Sequence, residues 1–346
     1  MMKGGRRTSC RTQTNPSSGA RATTLDILTA NLTSPVILFF ILGIAAALIR
    51  SDLSFPESFT KALSVYLLVA IGFKGGAQLA ATGVSPAILA AIVAGVALGV
   101  ITPLIAFALL RRWSPLGGLD AATVAAHYGS ASLVTFLAAS AFLAARGPAP
   151  EAYLVTLLAV MESPAIVVGM LLARRSGAPE PRPGHGLREA ATNGSVVLLL
   201  GALIIGVVTG PAGTAAFEGS LIAPFNGILA LFLLDMGLLA GRRLLNASRL
   251  PRSLVAFSIV MPLIGATLGL AIGIALGLSV PGVTLLATLA GSASYIVAPA
   301  AFRHAYPTAD TALAVTMALG LTFPFNLVLG IPLYWTAASL LVGGPS

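Results

Sequence analysis

The sequence predicts an all-α integral membrane protein of about ten transmembrane helices, in two inverted five-helix repeats with two crossing broken helices. Three observations carry this expectation. The 346 residues are 57% hydrophobic and only 9% charged, against about 25% charged in an ordinary soluble domain. Apolar stretches long enough to span a bilayer recur from residue 34 to the end. Three landmarks also occur twice, in one order and at nearly one spacing.

The elements follow in order. A spanning helix needs roughly 20 mainly apolar residues. Stretches near 34–49, 60–80, 86–110, 120–145 and 151–173 qualify. A second series lies near 190–209, 221–241, 253–278, 280–302 and 309–341, the last broken or running past the membrane. Residues 1–33 carry Lys3, Arg6, Arg7, Arg11 and Arg21 among many Ser and Thr, and read as a disordered basic tail. No apolar core follows those early arginines, so a cleaved signal peptide is not expected; a wrongly assigned start codon is the plainer alternative. "RRSGAPEPRPGHGLRE", at 174–189, is rich in Pro, Gly and Arg and is the convincing linker. The expected organisation is a tail over 1–33, a first repeat over 34–175, a linker over 176–189 and a second repeat over 190–346.

The repeat rests on three anchors. Ser130 in "HYGSASLVTF" and Ser292 in "LAGSASYIVAP" are 162 positions apart. Pro164 in "MESPAIVVG" and Pro324 in "LTFPFNLVLG" are 160 apart, and Gly72 and Gly237 are 165 apart. About five helices per half is an odd number, so the second half must enter the membrane upside down, the inverted plan of secondary transporters.

Loop charges set the orientation. Loops opposite the tail carry Arg50, Lys61, Arg111, Arg112, Arg174, Arg175, Arg182, Arg188, Arg242, Arg243, Arg249, Arg252 and Arg303. The tail side has only Lys74 and Arg146 outside the tail itself. This bias places the linker in the cytoplasm and both termini outside, although the basic tail pulls the other way. Topology also accounts for the net charge of +9 better than nucleic acid does, because the arginines lie between apolar stretches. Cys10 is the single cysteine, which excludes an intrachain disulfide or thiolate metal site. No phosphate-binding loop and no His-Glu-x-x-His pair occurs, and no cofactor is expected.

The duplicated Gly-Ser-Ala-Ser is the most informative motif. Glycine and clustered serines weaken a helix, and lipid cannot satisfy the freed backbone groups. Such a break survives where protein buries it or where it lines a wet cavity. Its amide ends attract anions and its carbonyl ends attract cations. Two breaks in inverted repeats would bring these ends to one shared site near the midplane. Gly129, Ser130, Ser132, Gly291, Ser292 and Ser294 are therefore the expected binding residues. The plainer reading is that small residues only permit close helix packing. Duplication in corresponding helices favours the site.

Glu162 and Asp235 stand inside apolar runs, where a carboxylate costs roughly 2.5–3.5 kcal/mol on insertion scales. Glu162, just before Ser163 and Pro164, reads as a cation ligand or its support, against a structural acid capping the backbone freed by proline. Asp235 lies away from either break and reads as structural or gating. Asn326, two residues past Pro324, is a plausible amide-oxygen ligand, so Na⁺ would fall to Glu162, Ser130 and Asn326. Hard oxygen ligands without soft ones suit an alkali cation. His127 either lines the pocket or packs. His185 falls in the linker, His304 at a headgroup-facing helix end, and Asp120 reads as an N-terminal cap.

Together "NLTSPVILFFILGIAAALIRSDLSFP", "YLLVAIGFKGGAQLA", "HYGSASLVTF", "AVMESPAIVVG", "FLLDMGL" and "GSASYIVAPAAFR" resemble the sodium-dependent bicarbonate transporter family of cyanobacteria and other bacteria. The similarity runs from about residue 31 to near the C-terminus. It implies import of bicarbonate with Na⁺ across the bacterial plasma (inner) membrane, a homotrimer, an elevator-like movement of a core against a gate domain, and a possible cytoplasmic PII-like regulator. The long basic tail and proline-rich linker depart from the family. The residues alone imply only a transporter of a small charged solute, so a Na⁺-coupled symporter of another small organic anion is the alternative. A proton-coupled antiporter usually needs an acid at the crossing, where this chain has serines. An intramembrane enzyme would need Ser130 and His127 as nucleophile and base, and no enzyme activity is expected.

Overall fold

The computed structural model describes residues 23–83, 85–147, 149–180, 194–247 and 250–343, and every regular element within them is helical. The first half comprises α1 (Thr24–Leu32), α2 (Pro35–Leu48), α3 (Glu57–Thr82), α4 (Pro86–Trp113), α5 (Gly118–Gly129), α6 (Leu133–Ala144) and α7 (Leu157–Arg175). The second comprises α8 (Gly194–Ala216), α9 (Phe225–Ala247), α10 (Arg252–Ala275), α11 (Val280–Ala290), α12 (Val297–Ala305) and α13 (Thr311–Val342). Among the described residues, eight helical stretches are long and apolar enough to cross a membrane, and α1 with α2, bent by 64°, makes a ninth if counted as one broken span. The chain is a multi-pass membrane protein.

Local chemistry explains the boundaries. Ser34 caps α2 with Pro35 in its first turn, and Ser279 caps α11 by accepting from Gly282 N. In α8 the chain kinks where Gly210 takes φ 60° ahead of Pro211, a left-handed conformation open to glycine. The final stretch does not break at Pro324. It passes through two π-helical segments, Ala318–Thr322 and Asn326–Gly330, that absorb the missing proline N–H. At 1.5 Å per residue its 32 residues measure roughly 48 Å, well past the bilayer core.

One expectation is corrected. The tail does not stay irregular through residue 33, because Thr23 and Asp26 form a capping box that starts α1. Asn31 then ties α1 down by donating to Leu327 O (3.0 Å). Lys3, Arg6, Arg7, Cys10, Arg11, Arg21, Arg182, His185, Arg188 and Arg249 lie outside the described residues.

Two groups of helices position the site. In the first, α2 packs on α9 and α3 on α8, each pair at near-contact of backbones. A Cβ on Gly43 would strike Leu234 O and one on Gly237 would strike Phe40 O; likewise Gly76 meets Leu203 O and Gly206 meets Phe73 O. These are small-residue membrane contacts, where close approach replaces the hydrophobic drive. The second group holds α4, α5, α6 and α7 with α10, α11, α12 and α13. Phe40 on α2 meets Phe323 on α13 edge-on at 5.2 Å, joining the groups.

Candidate functional site

Both Gly-Ser-Ala-Ser segments interrupt helices. α5 ends at Gly129; Ser130 and Ser132 are extended (φ −96°, ψ 131° and φ −94°, ψ 118°), and α6 begins at Leu133. α11 ends at Gly291, and the chain is irregular until α12 begins at Val297. The glycine of each break lies against a proline in the preceding helix. A Cβ on Gly129 would come to 2.6 Å from Pro103 Cδ, and one on Gly291 to 2.7 Å from Pro262 O. Glycine is thus required at both positions for close approach, as the packing reading anticipated.

The breaks are also joined to each other. Ser132 N donates to Ser292 Oγ (2.9 Å), and Ser294 N donates to His127 O (2.8 Å). Backbone groups freed in one half of the chain are satisfied by the other half, which lipid could not do. Gly129, Ser130, Ser132, Gly291, Ser292 and Ser294 therefore converge on one buried locus, with no serine of the four more than 3% exposed.

Around the second break Ser292 and Asn326 are both engaged. Ser292 Oγ donates to Leu289 O (2.7 Å) while accepting from Ser132 N. Asn326 Nδ2 donates to Gly291 O (2.8 Å), and Asn326 Oδ1 accepts from Tyr334 OH (2.8 Å). Pro262 has no N–H for the carbonyl of Ser258, and Thr322 Oγ1 donates to that carbonyl instead (2.7 Å). Thr322 in turn accepts from Tyr128 OH (2.7 Å), tying α13 to α5.

Around the first break several buried polar atoms lack partners. Ser130 Oγ, Glu162 Oε2, His127 Nε2 and Thr102 Oγ1 are buried with no hydrogen-bond partner. The helices that carry them meet at Gly129: Pro103, next to Thr102, abuts that glycine, and Ala165, one turn after Glu162, lies against it too. His127 donates from Nδ1 to Thr123 O (2.8 Å), and its Nε2 is buried without a partner. Unpartnered buried oxygens on Ser130 and Glu162 are ligands that a desolvated hard cation can take, and the carbonyl ends of α5 and α11 add negative potential. The N-terminus of α6, capped by Ser132 Oγ accepting from Thr135 N (3.4 Å), presents the complementary positive end.

Other expected residues fall elsewhere. Asp235 on α9 accepts from Thr60 Oγ1 on α3 (2.5 Å), and it lies nearer the second break than the sequence implied, because its neighbour Met236 meets Tyr295 of that break. Asp120 does not cap its own helix, since Gly117 holds that position; its Oδ1 accepts from Asp310 N (3.0 Å) at the start of α13. His304 is exposed at the end of α12. Sequence reasoning missed Thr102, Tyr128, Thr322 and Tyr334. Thr102 carried a signal, a hydroxyl directly before a proline inside an apolar helix; the others did not. It also missed Tyr295, whose OH donates to Met236 Sδ (3.2 Å) and links the second break to α9.

A family model described as the Na⁺-dependent bicarbonate transporter superfamily matches residues 35–339. The match takes in both breaks and most of the chain, and the chain belongs to this superfamily. No curated protein matches it.

Proposed function

We propose that this member of the superfamily imports bicarbonate together with Na⁺ across a bacterial plasma membrane, by elevator-like alternating access. One observation carries the reading: two buried helix breaks are hydrogen-bonded to each other, beside unpartnered acceptors on Ser130 and Glu162. In this reading Na⁺ takes Ser130 Oγ, Glu162 and carbonyls at the end of α5, while the anion takes the amide end of α6 and Ser132. Asn326 holds the second break in place from behind. The cation offsets the buried carboxylate, and the anion offsets the cation, so neither enters a dry site with its charge uncompensated. Ser130 Oγ and His127 Nε2, the pair that the enzyme alternative would use, do not bond one another.

Inverted five-helix repeats fit the packing. α2 on α9 and α3 on α8 are reciprocal pairs, each joining one half of the chain to the other, and Gly129 on Pro103 mirrors Gly291 on Pro262. The α2, α3, α8 and α9 group would form the stationary gate of a homotrimer, and the remaining helices the moving core. A PII-like regulator would dock on the arginine-rich cytoplasmic face. Orientation is tested by a cysteine placed at Gly177 in a Cys10→Ser background, which should react only with reagent on the cytoplasmic side; labelling from outside reverses the topology.

Uptake into proteoliposomes decides the substrate. Labelled bicarbonate should accumulate with an inward Na⁺ gradient and not when choline replaces Na⁺ at constant pH. Na⁺-driven uptake of an organic carboxylate in preference to bicarbonate would establish the alternative anion.

A further inference from the structure

A second polar feature lies outside the breaks. A cavity of about 370 Å³ opens between α3, α6, the turn at 149–152 and the start of α9, with Leu285 of α11 in its wall. All these elements meet at one face, the one where α3 and α6 end and α9 and α11 begin. Lys74 lines the cavity from within the apolar span of α3. It is exposed and carries no hydrogen bond or ion pair among the described residues.

A lysine in a membrane span is costly unless it faces water or a counter-charge. Its backbone leaves little choice of direction. Gly72 and Gly76 on one side press on α8, and Gly75 presses on Val155, so the remaining face of that turn borders the cavity. Glu151, the one acid in the wall, forms no ion pair with it. Glu151 is committed to the start of α11, with Oε1 accepting from Ser279 N (2.7 Å) and Oε2 from Ser279 Oγ (3.1 Å). Arg146 beyond the wall adds positive charge, its guanidinium 3.6 Å from the Phe142 ring centre. The other polar lining groups, Gln78, Ser140 and Asn226, are neutral. Lys74 together with Arg146 outweighs the single carboxylate of Glu151, so the recess carries a net positive charge between low-dielectric walls, a shape that concentrates anions.

Its inner end is equally specific. Phe136 of α6 lines the cavity and is buried, and it stands four residues, about 6 Å, from Ser132 at the first break. We propose that this cavity is an anion antechamber: Lys74 collects a small oxyanion from solution and holds it behind Phe136, one helical turn from the site between the breaks. The inference rests on the transport reading for its purpose and on the loop charges for the cavity facing outward. Lys74 is a positioning residue and does not belong to the site itself.

The test reads the local potential without needing transport. In a Cys10→Ser background, Ser140→Cys places a thiol on the wall of the cavity. Its reaction rates with anionic and cationic membrane-impermeant thiosulfonates, added outside intact cells, are compared with Lys74 and with Lys74→Gln. The anionic-to-cationic rate ratio should fall roughly tenfold on losing the lysine, less so at high salt, and Lys74→Arg should keep it. An unchanged ratio, or labelling from the cytoplasmic side alone, overturns the proposal. In the same preparations Lys74→Gln should raise the half-saturating bicarbonate concentration severalfold while the maximal rate holds. If the ratio shifts but bicarbonate is not taken up at all, the antechamber stands and the substrate reading fails.

Discussion

The two Gly-Ser-Ala-Ser breaks share a sequence and differ in wiring. At the second, Ser292, Gly291 and Asn326 form a closed set of hydrogen bonds with Leu289, Ser132 and Tyr334. At the first, Ser130 Oγ, Glu162 Oε2, His127 Nε2 and Thr102 Oγ1 have none. A buried polar group without a partner costs about 1–3 kcal/mol, so a fold keeps several together only where something else compensates them. Duplication therefore yields one frame and one socket. Substitutions at the two breaks should separate accordingly, into losses of stability and losses of ion affinity.

The largest contrast is expected between Glu162 and Asn326. Glu162→Gln keeps the shape and removes the charge from the socket. Interactions with a charged partner contribute roughly 1.5–3 kcal/mol, so the half-saturating Na⁺ concentration should rise about tenfold to hundredfold, with the detergent melting temperature unchanged or higher. Asn326→Ala orphans Gly291 O and Tyr334 OH in a dry interior, so it should lower the melting temperature markedly. If instead Glu162→Gln melts the protein and leaves the Na⁺ dependence intact, the carboxylate is structural and the comparison collapses.

The serine pair is a finer version of the same test. Ser130→Ala deletes a hydroxyl that bonds nothing in the protein, so stability should hold while apparent Na⁺ affinity falls by about tenfold. Ser292→Ala deletes the acceptor of Ser132 N and strands a buried N–H, which should cost about 1–3 kcal/mol of stability. Concentration-dependent uptake and thermal melting, measured on both variants, check the assignment. Equal behaviour of the two would mean that the breaks are equivalent after all.

Much of this was legible in the sequence, for identifiable reasons. Apolar stretches and the offset of about 162 are one-dimensional patterns, and they marked the helices and both breaks. The difference between the breaks was not, because it depends on long-range partners: Ser132 with Ser292, Asn326 with Gly291, Tyr128 with Thr322. Asp120 shows the same limit. Its place near a helix start suggested a local cap, whereas its carboxylate serves the start of α13, 190 residues away. The tail was misread for the opposite reason. Thr23 and Asp26 form a purely local capping box, overshadowed by a polar, arginine-rich context that argued for disorder.

The smallest effect is expected at Ser132, which belongs to both sides of the comparison. Its N–H is held by the frame, and its hydroxyl caps α6 by accepting from Thr135 N at 3.4 Å, a long bond. Loss of an N-cap costs typically about 1 kcal/mol. Ser132→Ala should therefore lower the melting temperature slightly, and leave the Ser132–Ser292 contact in place because that contact uses the backbone. Any larger effect must come from the solute. If the hydroxyl also donates to the anion at the amide end of α6, the half-saturating bicarbonate concentration should rise about tenfold, with Na⁺ affinity less affected. Ser132→Leu separates this from packing, since a bulky side chain fails under either reading while alanine fails only if the hydroxyl binds. Normal bicarbonate kinetics in Ser132→Ala, beside an inactive Ser132→Leu, would make the serine a spacer and move the anion away from the start of α6.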